Sequence, residues 1–311
     1  MWKALGDAAN SAERDIEEVL ARVPRWQEAD LRYRPVSGGI SNANWQVSTG
    51  SAQDYFVKVP GRGTEMFITR AAAVEASRKA HASGFGAEVI DFLPDLGVEI
   101  FAFVEGFRAS SNLDFLRPAV RANAVQALKA FNDAGSLSLT KTVFDMIEEH
   151  VAQVAEVGGR VPEDAPFLMQ RYAEAKAALL ASGLDLVPCM NDTLAGNFLI
   201  DAADRVMLVD FEYASNNERA YELALWFDEM AFDEAVEREL IEAYFGRWDP
   251  VIAARIQVLK ALGDLKWSTW AMIQEAVSLL DFDFYKYGTW KLMRARTMFH
   301  HPDWLRWLQR L

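Results

Sequence analysis

Apolar residues recur at two different periods along the chain, and the first third is dominated by the short period of β-strands. The exception is a leading helix at residues 10–23, whose apolar side chains are spaced for one helix face and whose start Asn10 is suited to cap. Strand-length segments follow at residues 33–36, 45–47, 55–59, 88–92 and 99–104. A helical stretch at residues 68–83 separates the third of these segments from the fourth. The pattern predicts a small antiparallel sheet with one inserted helix.

Helical periodicity takes over after residue 105. It predicts one helix that carries residues 267–274 and others at residues 117–132, 143–157, 167–182 and 218–232. The strand signal returns once, at residues 197–209, where two apolar runs flank a polar loop and predict a hairpin. We therefore predict an α+β fold of two lobes, a small N-terminal lobe at residues 1–104 and a larger, mainly helical C-terminal lobe at residues 105–311.

The composition, with 311 residues of which 51% are hydrophobic, is typical of a globular protein. No segment approaches the roughly 20 apolar residues that a transmembrane helix requires, and the N-terminal sequence is too charged for a signal peptide. The single cysteine, Cys189, excludes an intramolecular disulfide, and its apolar surroundings predict a buried thiol. Together these features predict a cytoplasmic protein.

The formal net charge of −13 limits the classes of partner. Nucleic acids and anionic membranes bind clustered Lys and Arg residues, so we expect neither as the main partner. An acidic surface is compatible with a cationic small-molecule substrate, although it also serves solubility alone. The sequence leaves the oligomeric state open.

Three polar residues stand at the ends of the predicted hairpin and on the loop before it: Asp192, Asn197 and Asp210. The hairpin would bring their oxygens together, and carboxylate and amide oxygens suit Mg²⁺. The spacing D-x-x-x-x-N before a strand that ends in D-F is also the arrangement of kinases. There the first Asp accepts the proton of the acceptor hydroxyl, while the Asn and the second Asp bind metal. Each residue taken alone is also typical of an ordinary turn.

A glycine turn and a lysine in the predicted sheet suggest a phosphate site. Gly38 and Gly39 lie between two strands, where backbone N–H groups can approach phosphates closely, although two glycines alone are more typical of an ordinary hairpin turn. Lys58 stands in an apolar strand and must reach solvent at a sheet edge or meet an anion. Its distance from the turn matches the kinase lysine that binds nucleotide phosphates, and Glu75 on the following helix is its predicted partner.

Aromatic residues follow a helical spacing near the C-terminus. Trp267 and Trp270 recur at i and i+3, and Phe282 and Tyr287 follow. Such a stripe is normally part of a core. Tryptophan faces beside a carboxylate, however, also bind quaternary ammonium groups through cation–π attraction.

These motifs resemble the phosphotransfer core of the choline/ethanolamine kinase family, within the broader aminoglycoside phosphotransferase-like group. The resemblance lies in Asn191-Asp192, Asn197, Asp210-Phe211-Glu212-Tyr213 and residues 217–224, and it spans residues 37–287. Residues 38–42 are similar to the family's GG-[IL]-[ST]-N segment. One departure is Met190, which stands where the family usually has a His that braces the catalytic loop.

The resemblance implies a protein-kinase-like fold and the use of ATP and Mg²⁺. It implies that Gly38, Gly39, Ser41 and Asn42 form the phosphate loop with Lys58 and Glu75. It places Phe103 in the crossing between the lobes, where backbone groups bind adenine. It also implies a choline pocket, whose predicted residues are Glu229, Trp267, Trp270, Phe282 and Tyr287.

The predicted function is phosphorylation of the hydroxyl of choline or ethanolamine. Another small alcohol, such as an aminoglycoside or an amino sugar, is the alternative acceptor, but such polycations favour carboxylate-lined surfaces over tryptophans. A protein of a different class, a pseudokinase or ligand-binding protein without turnover, also remains open because of Met190.

Overall fold

The computed structural model describes residues 1–38, 42–61 and 66–311, and its fold is α+β. The strands are β1 Lys3–Ala4, β2 Arg32–Pro35, β3 Asn42–Ser48, β4 Tyr55–Pro60, β5 Val89–Leu93, β6 Val98–Ala102, β7 Phe107–Ala109, β8 Leu186–Cys189, β9 Phe198–Asp201, β10 Val206–Leu208 and β11 Ser215–Glu218. The helices are α1 Ser11–Ala21, α2 Arg70–Ala82, α3 Pro118–Asn132, α4 Val143–Glu156, α5 Ala165–Ala181, α6 Arg219–Met230, α7 Glu234–Phe245, α8 Pro250–Val277, α9 Phe284–Phe299 and α10 Trp304–Arg310.

The N-terminal sheet has the strand order β1-β2-β3-β4-β6-β5, and its described neighbours pair antiparallel. The predicted strands are present, and β1 adds an edge strand that is too short to give a sequence signal. Helix α1 covers the sheet with Ile16 and Leu20, which lie in one buried cluster with Val47 of β3 and Val57 of β4. The side chain of Asn10 accepts a hydrogen bond from the backbone of Glu13 at 3.0 Å, as expected of an N-cap.

The predicted hairpin is formed by β9 and β10, whose register pairs Phe198 with Leu208. The prediction that strands otherwise cease after residue 105 was wrong. β7 joins the hairpin as a third strand, and β8 pairs with β11 in a separate ladder. β8 contains Pro188, and β11 has the polar sequence SNNE, so neither shows the apolar alternation by which strands are recognised.

The helical lobe is built around α8, which packs against α4, α6, α9 and α10. The predicted helices are present within two residues at either end. Cys189 is buried, as predicted. Among the helices of the described ranges, none is both long enough and apolar enough to cross a membrane.

Two separate buried clusters confirm the two-lobed arrangement, one on the N-terminal sheet and one among the helices and the hairpin. The N-terminal sheet ends at Ala102, and the hairpin sheet begins at Phe107. The predicted boundary between residues 104 and 105 falls between these sheets, and it stays a prediction.

Candidate active site

The loop that carries Asp192 is held in place by the side chain of the preceding residue, Asn191. Asn191 has a φ of 60°, a left-handed conformation that Asn tolerates better than most residues. Its fully buried amide donates to the carbonyl of Tyr213 and the hydroxyl of Ser215, both at 2.8 Å, and accepts from Asn217 at 2.9 Å. Because all three partners lie beyond the hairpin, they fix Asp192 against the segment that follows Asp210.

Glu222 of α6 provides a second brace for this loop. Its carboxylate accepts hydrogen bonds from the backbone N–H groups of Met190 and Asn191. Met190 itself is fully buried in the main core. The loop is therefore held without a polar side chain at position 190. Complete burial raises the pKa of Glu222 to about 7, against the bonds from Met190 and Asn191, which lower it.

This brace leads to a prediction about stability and pH. We expect Glu222→Gln to lower the free energy of unfolding at pH 5 by about 1–3 kcal/mol, because Gln cannot satisfy both backbone donors as the carboxyl group does. The difference in the free energy of unfolding between wild type and Glu222→Gln should narrow toward pH 7.5. In the folded wild type the pKa of the Glu222 carboxyl is about 7, above the ordinary 4.5. The wild-type protein therefore loses free energy of unfolding as pH rises from about 4.5 to about 7. Urea unfolding at both pH values measures the two effects.

The control for this measurement is Glu242→Gln, which makes the same change at a solvent-accessible glutamate paired with Arg238. It should be near neutral at both pH values. Equal pH dependence in wild type and Glu222→Gln would show that the carboxyl is ionised throughout and contradict the raised pKa.

The three polar residues predicted at the hairpin do approach one another. The Asn197 side chain donates to the Asp192 carbonyl at 2.9 Å and to its carboxylate at 3.3 Å. The Asn197 carbonyl accepts from Val209 at 3.0 Å, which places Asp210 at the same mouth of the hairpin. Burial, followed by the charge of Asp210, raises the pKa of Asp192 to about 7. The two carboxylates are thus close enough to repel each other, and a cation between them would relieve that repulsion.

The donor atoms at this mouth fit magnesium. The Nδ2 atom of Asn197 is used by Asp192, so the Oδ1 atom is left to coordinate. One oxygen of Asp210 bonds Lys58, while the side chain keeps 31% of its surface accessible. An amide oxygen and a carboxylate oxygen, with space for phosphates, are the few protein ligands that Mg²⁺ takes in such sites. Asn197 and Asp210 would hold the ion, and this assignment stays a prediction.

Lys58 points from the N-terminal sheet at the same place. Its ammonium lies 2.6 Å from Asp210 and 3.0 Å from Glu212. β4 lies between β3 and β6, so the interpretation of Lys58 as an edge-strand lysine was wrong. Burial alone would lower the pKa of Lys58, but the surrounding carboxylates outweigh it and raise the pKa above its usual value. An ammonium held by two carboxylates beside the candidate metal ligands is well placed to exchange one of them for a phosphate.

Glu75 is not the partner of Lys58, and that prediction was wrong. The Glu75 carboxylate accepts from the backbone N–H of Ser138 at 3.0 and 3.1 Å and from its hydroxyl. Lys58 pairs instead with Glu212, whose carboxylate also bonds Arg70 of α2 at 2.6 Å. Sequence reasoning missed Glu212 as a site residue, although its position two residues after Asp210 was a usable signal.

The predicted phosphate loop is described only in part, because Gly39 and Ser41 lie outside the described residues. Gly38 has a φ of 127°, which favours glycine, and its carbonyl accepts from Asn44 at 2.8 Å. The Asn42 side chain donates to Glu212 at 2.8 Å, which connects the end of the loop to the segment that carries Asp210. Binding of phosphates by this loop stays a prediction.

Phe103 lies in the predicted crossing between the lobes. Its N–H donates to the carbonyl of Asp54 at 2.9 Å, and its carbonyl accepts from the Gln53 side chain at 3.3 Å. Adenine would need the second lone pair of that carbonyl or would have to displace these bonds. A nucleotide contact at Phe103 stays a prediction.

The aromatic residues predicted for the acceptor pocket form one cluster. The ring centroids of Trp267 and Trp270 are 5.6 Å apart, those of Trp270 and Tyr287 are 6.0 Å apart, and those of Tyr287 and Phe282 are 6.2 Å apart. Both tryptophans are buried, whereas Phe282 is 43% exposed. The cluster therefore runs from the core to the surface.

Two buried lysines, missed in the sequence, already contact this cluster. The ammonium of Lys266 lies 3.0 Å from the Trp267 ring centroid, and that of Lys291 lies 5.3 Å from the Tyr287 centroid. Lys291 also pairs with Glu229, so the carboxylate predicted to meet a substrate cation has an internal partner. The signal in the sequence was the i, i+4 relation of Lys266 to Trp270, which puts both on the buried face of α8.

Comparison with known sequences identifies the relatives of this arrangement. The sequence profile described as choline/ethanolamine kinase matches residues 33–242. A probable choline kinase 2 of Arabidopsis thaliana is 22% identical, and the match covers 88% of this chain and 89% of the relative. A probable ethanolamine kinase of the same plant is 25% identical, with 88% of this chain and 82% of the relative covered.

Solved structures agree with the sequence comparison. A choline/ethanolamine kinase family protein of Mesorhizobium loti is 26% identical, has a TM-score of 0.84, and covers 96% of this chain with 99% of its own. The choline kinase LicA of Streptococcus pneumoniae shares the fold at 22% identity, with a TM-score of 0.78 over 92% of this chain and 98% of its own. The fold is thus that of protein-kinase-like phosphotransferases. With more than half of its length matched by one family's profile, the chain belongs to the choline/ethanolamine kinase family and is a kinase.

Proposed function

We propose that the protein transfers a phosphoryl group from ATP, with Mg²⁺, to the hydroxyl of choline or ethanolamine. The observation that carries the proposal is the contact of Asp192 with Asn197 beside the ion pair of Lys58 and Asp210. It joins a candidate base, two candidate metal ligands and a phosphate-binding cation at one point between the lobes. The family membership supports the acceptor class, since relatives are named choline kinases and ethanolamine kinases.

Each residue has a distinct role in this proposal. Asp192 accepts the proton of the acceptor hydroxyl as the oxygen attacks phosphorus. Asn197 and Asp210 hold Mg²⁺, which neutralises charge on the phosphates. Lys58 exchanges a carboxylate for phosphate oxygens and so positions the nucleotide. A LicA structure described as a complex with AMP supports nucleotide binding in this fold.

The direct test is release of ADP from Mg-ATP in the presence of choline, ethanolamine or an aminoglycoside. The proposal expects acceptor-dependent ADP release with at least one of the two amino alcohols and none without magnesium. ADP release only with the aminoglycoside would establish the alternative acceptor class. Nucleotide binding without transfer to any acceptor would identify a pseudokinase.

The aromatic cluster gives a second test of the acceptor. We expect Trp270→Leu to raise the KM for choline by about three- to thirty-fold, because it removes one ring that attracts the cation, while the KM for ATP stays unchanged. Steady-state kinetics with each substrate varied in turn measures the two constants.

Trp304→Leu is the matched control, because Trp304 is a buried tryptophan that packs against Phe299, away from the cluster. It should lower thermal stability without changing either KM. If Trp270→Leu behaves like this control, the ring serves packing alone and the aromatic cluster does not bind the acceptor.

A further inference from the structure

The Lys266 ammonium is the most unusual charge in the protein. Lys266 is only 1% exposed, and its Nζ atom has no hydrogen-bond partner among the residues that the structure describes. It lies instead 3.0 Å from the ring centroid of Trp267 and 4.6 Å from that of Tyr213. A buried ammonium without a hydrogen bond is costly, so these ring faces provide its main local compensation.

Opposing effects act on the charge of Lys266. Burial lowers the pKa of Lys266 well below its usual value, and the positive charges of Lys291 and Lys141 act in the same direction. The carboxylates of Asp192 and Glu229 oppose this shift, and so do the ring faces of Trp267 and Tyr213, which attract the charged form of the amine. Glu229, however, is paired with Lys291, and Asp192 is needed for the acceptor hydroxyl. The aromatic cluster therefore has two resident cations, Lys266 on Trp267 and Lys291 on Tyr287.

We propose that Lys266 determines the acceptor specificity of this protein by occupying the ring face of Trp267, and so disfavours acceptors with a permanent positive charge. A ring face that already attracts one ammonium has less attraction left for a second, and the two like charges repel at the short distances of this cluster. The site should favour an alcohol whose tail is uncharged when bound, such as an amine that can bind without its proton, over a quaternary ammonium of the same shape. This inference rests on the proposed function only where phosphoryl transfer is used to measure the preference between acceptors.

The test compares choline with 3,3-dimethylbutan-1-ol, which has the same shape but carbon in place of the charged nitrogen. Lys266→Met keeps an unbranched apolar side chain and removes the charge. We expect the variant to bind choline at least about tenfold more tightly than wild type, with little change for the neutral alcohol. Isothermal titration without nucleotide measures binding, and the ratio of kcat/KM for the two alcohols measures the same preference during turnover.

Lys260→Met is the matched control, because Lys260 is another buried lysine of α8, pairs with Glu237 and contacts no ring of the cluster in the described residues. It should leave the preference between the two alcohols unchanged. An unchanged preference in Lys266→Met, weaker choline binding, or no choline binding by that variant would overturn the inference.

The two proposals fail in different measurements. If wild type phosphorylates amino alcohols but Lys266→Met has the wild-type preference, the proposed function stands and the role of Lys266 is wrong. If wild type phosphorylates neither amino alcohol but Lys266→Met gains choline affinity, the role of Lys266 stands and the proposed function is wrong.

Discussion

Asp192→Asn should lower kcat by about 10²–10⁴-fold, the usual contribution of a positioned general base. Asn has the same shape and can still accept the hydrogen bond from Asn197, so the loop should keep its structure. The KM for ATP should change little, because Asp192 acts on the acceptor hydroxyl and not on the nucleotide. Stopped-time ADP release under saturating substrates gives kcat, and thermal unfolding checks the fold.

Asp185→Asn provides the control for this change. Asp185 precedes β8, the strand that leads to Asp192, but its carboxylate is largely exposed and pairs with Arg219. The control should retain wild-type kcat. A kcat of Asp192→Asn within a few-fold of wild type would remove Asp192 from the mechanism and leave proton acceptance to solvent.

Asp210→Asn should lower kcat/KM for Mg-ATP by about 100-fold or more, because it removes the charged ligand of the proposed Mg²⁺ ion. Such an ion stabilises the charge that develops in the transition state by several kcal/mol. Asn is the suitable replacement because Asp210 has a φ of 67°, a conformation in which Ala would be strained. Lys58 would keep Glu212 at 3.0 Å, so the variant leaves no unpaired buried ammonium. The dependence of rate on magnesium concentration should shift to higher concentrations.

Asp204→Asn is a close control, since Asp204 lies in the turn of the same hairpin with a φ of 60°. It makes the same chemical change at the same backbone conformation, away from the metal site. Wild-type magnesium dependence is expected for it. If Asp210→Asn shows the wild-type dependence too, Asp210 is only the partner of Lys58 and the ion is held elsewhere.

The sequence predicted those parts of the protein whose signals are local. The hairpin was visible because its two apolar runs flank a polar turn, and register then places Asn197 and Asp210 at one mouth. Lys58 was visible because a charged residue in an apolar strand requires an explanation. In both cases a few neighbouring residues carry enough information.

The remaining features depend on contacts between distant segments. β11 was missed because its buried Asn216 and Asn217 are satisfied by the backbone of Leu137 and Val143, roughly 75 residues earlier. The Lys58–Glu75 pair was predicted from spacing, but Ser138 offers Glu75 three donor contacts that spacing cannot reveal. Helical periodicity likewise could not show that Lys266 faces the ring of its own neighbour, Trp267.

The position of α2 has a consequence for domain motion. Although α2 lies between strands of the N-terminal sheet in sequence, several contacts among the described residues join its segment to the helical lobe. They include Arg70 with Glu212, Glu75 with Ser138, Lys79 with Gly135, and Phe85 with Leu208. The sheet bonds the same lobe through the side chains of Lys58 and Asn42, and under the proposed function a bound nucleotide replaces these bonds. We therefore expect α2 to move as one rigid body with the helical lobe. The hinge of the enzyme would then lie between α2 and the N-terminal sheet, whose strands β4 and β5 precede and follow α2 in the chain.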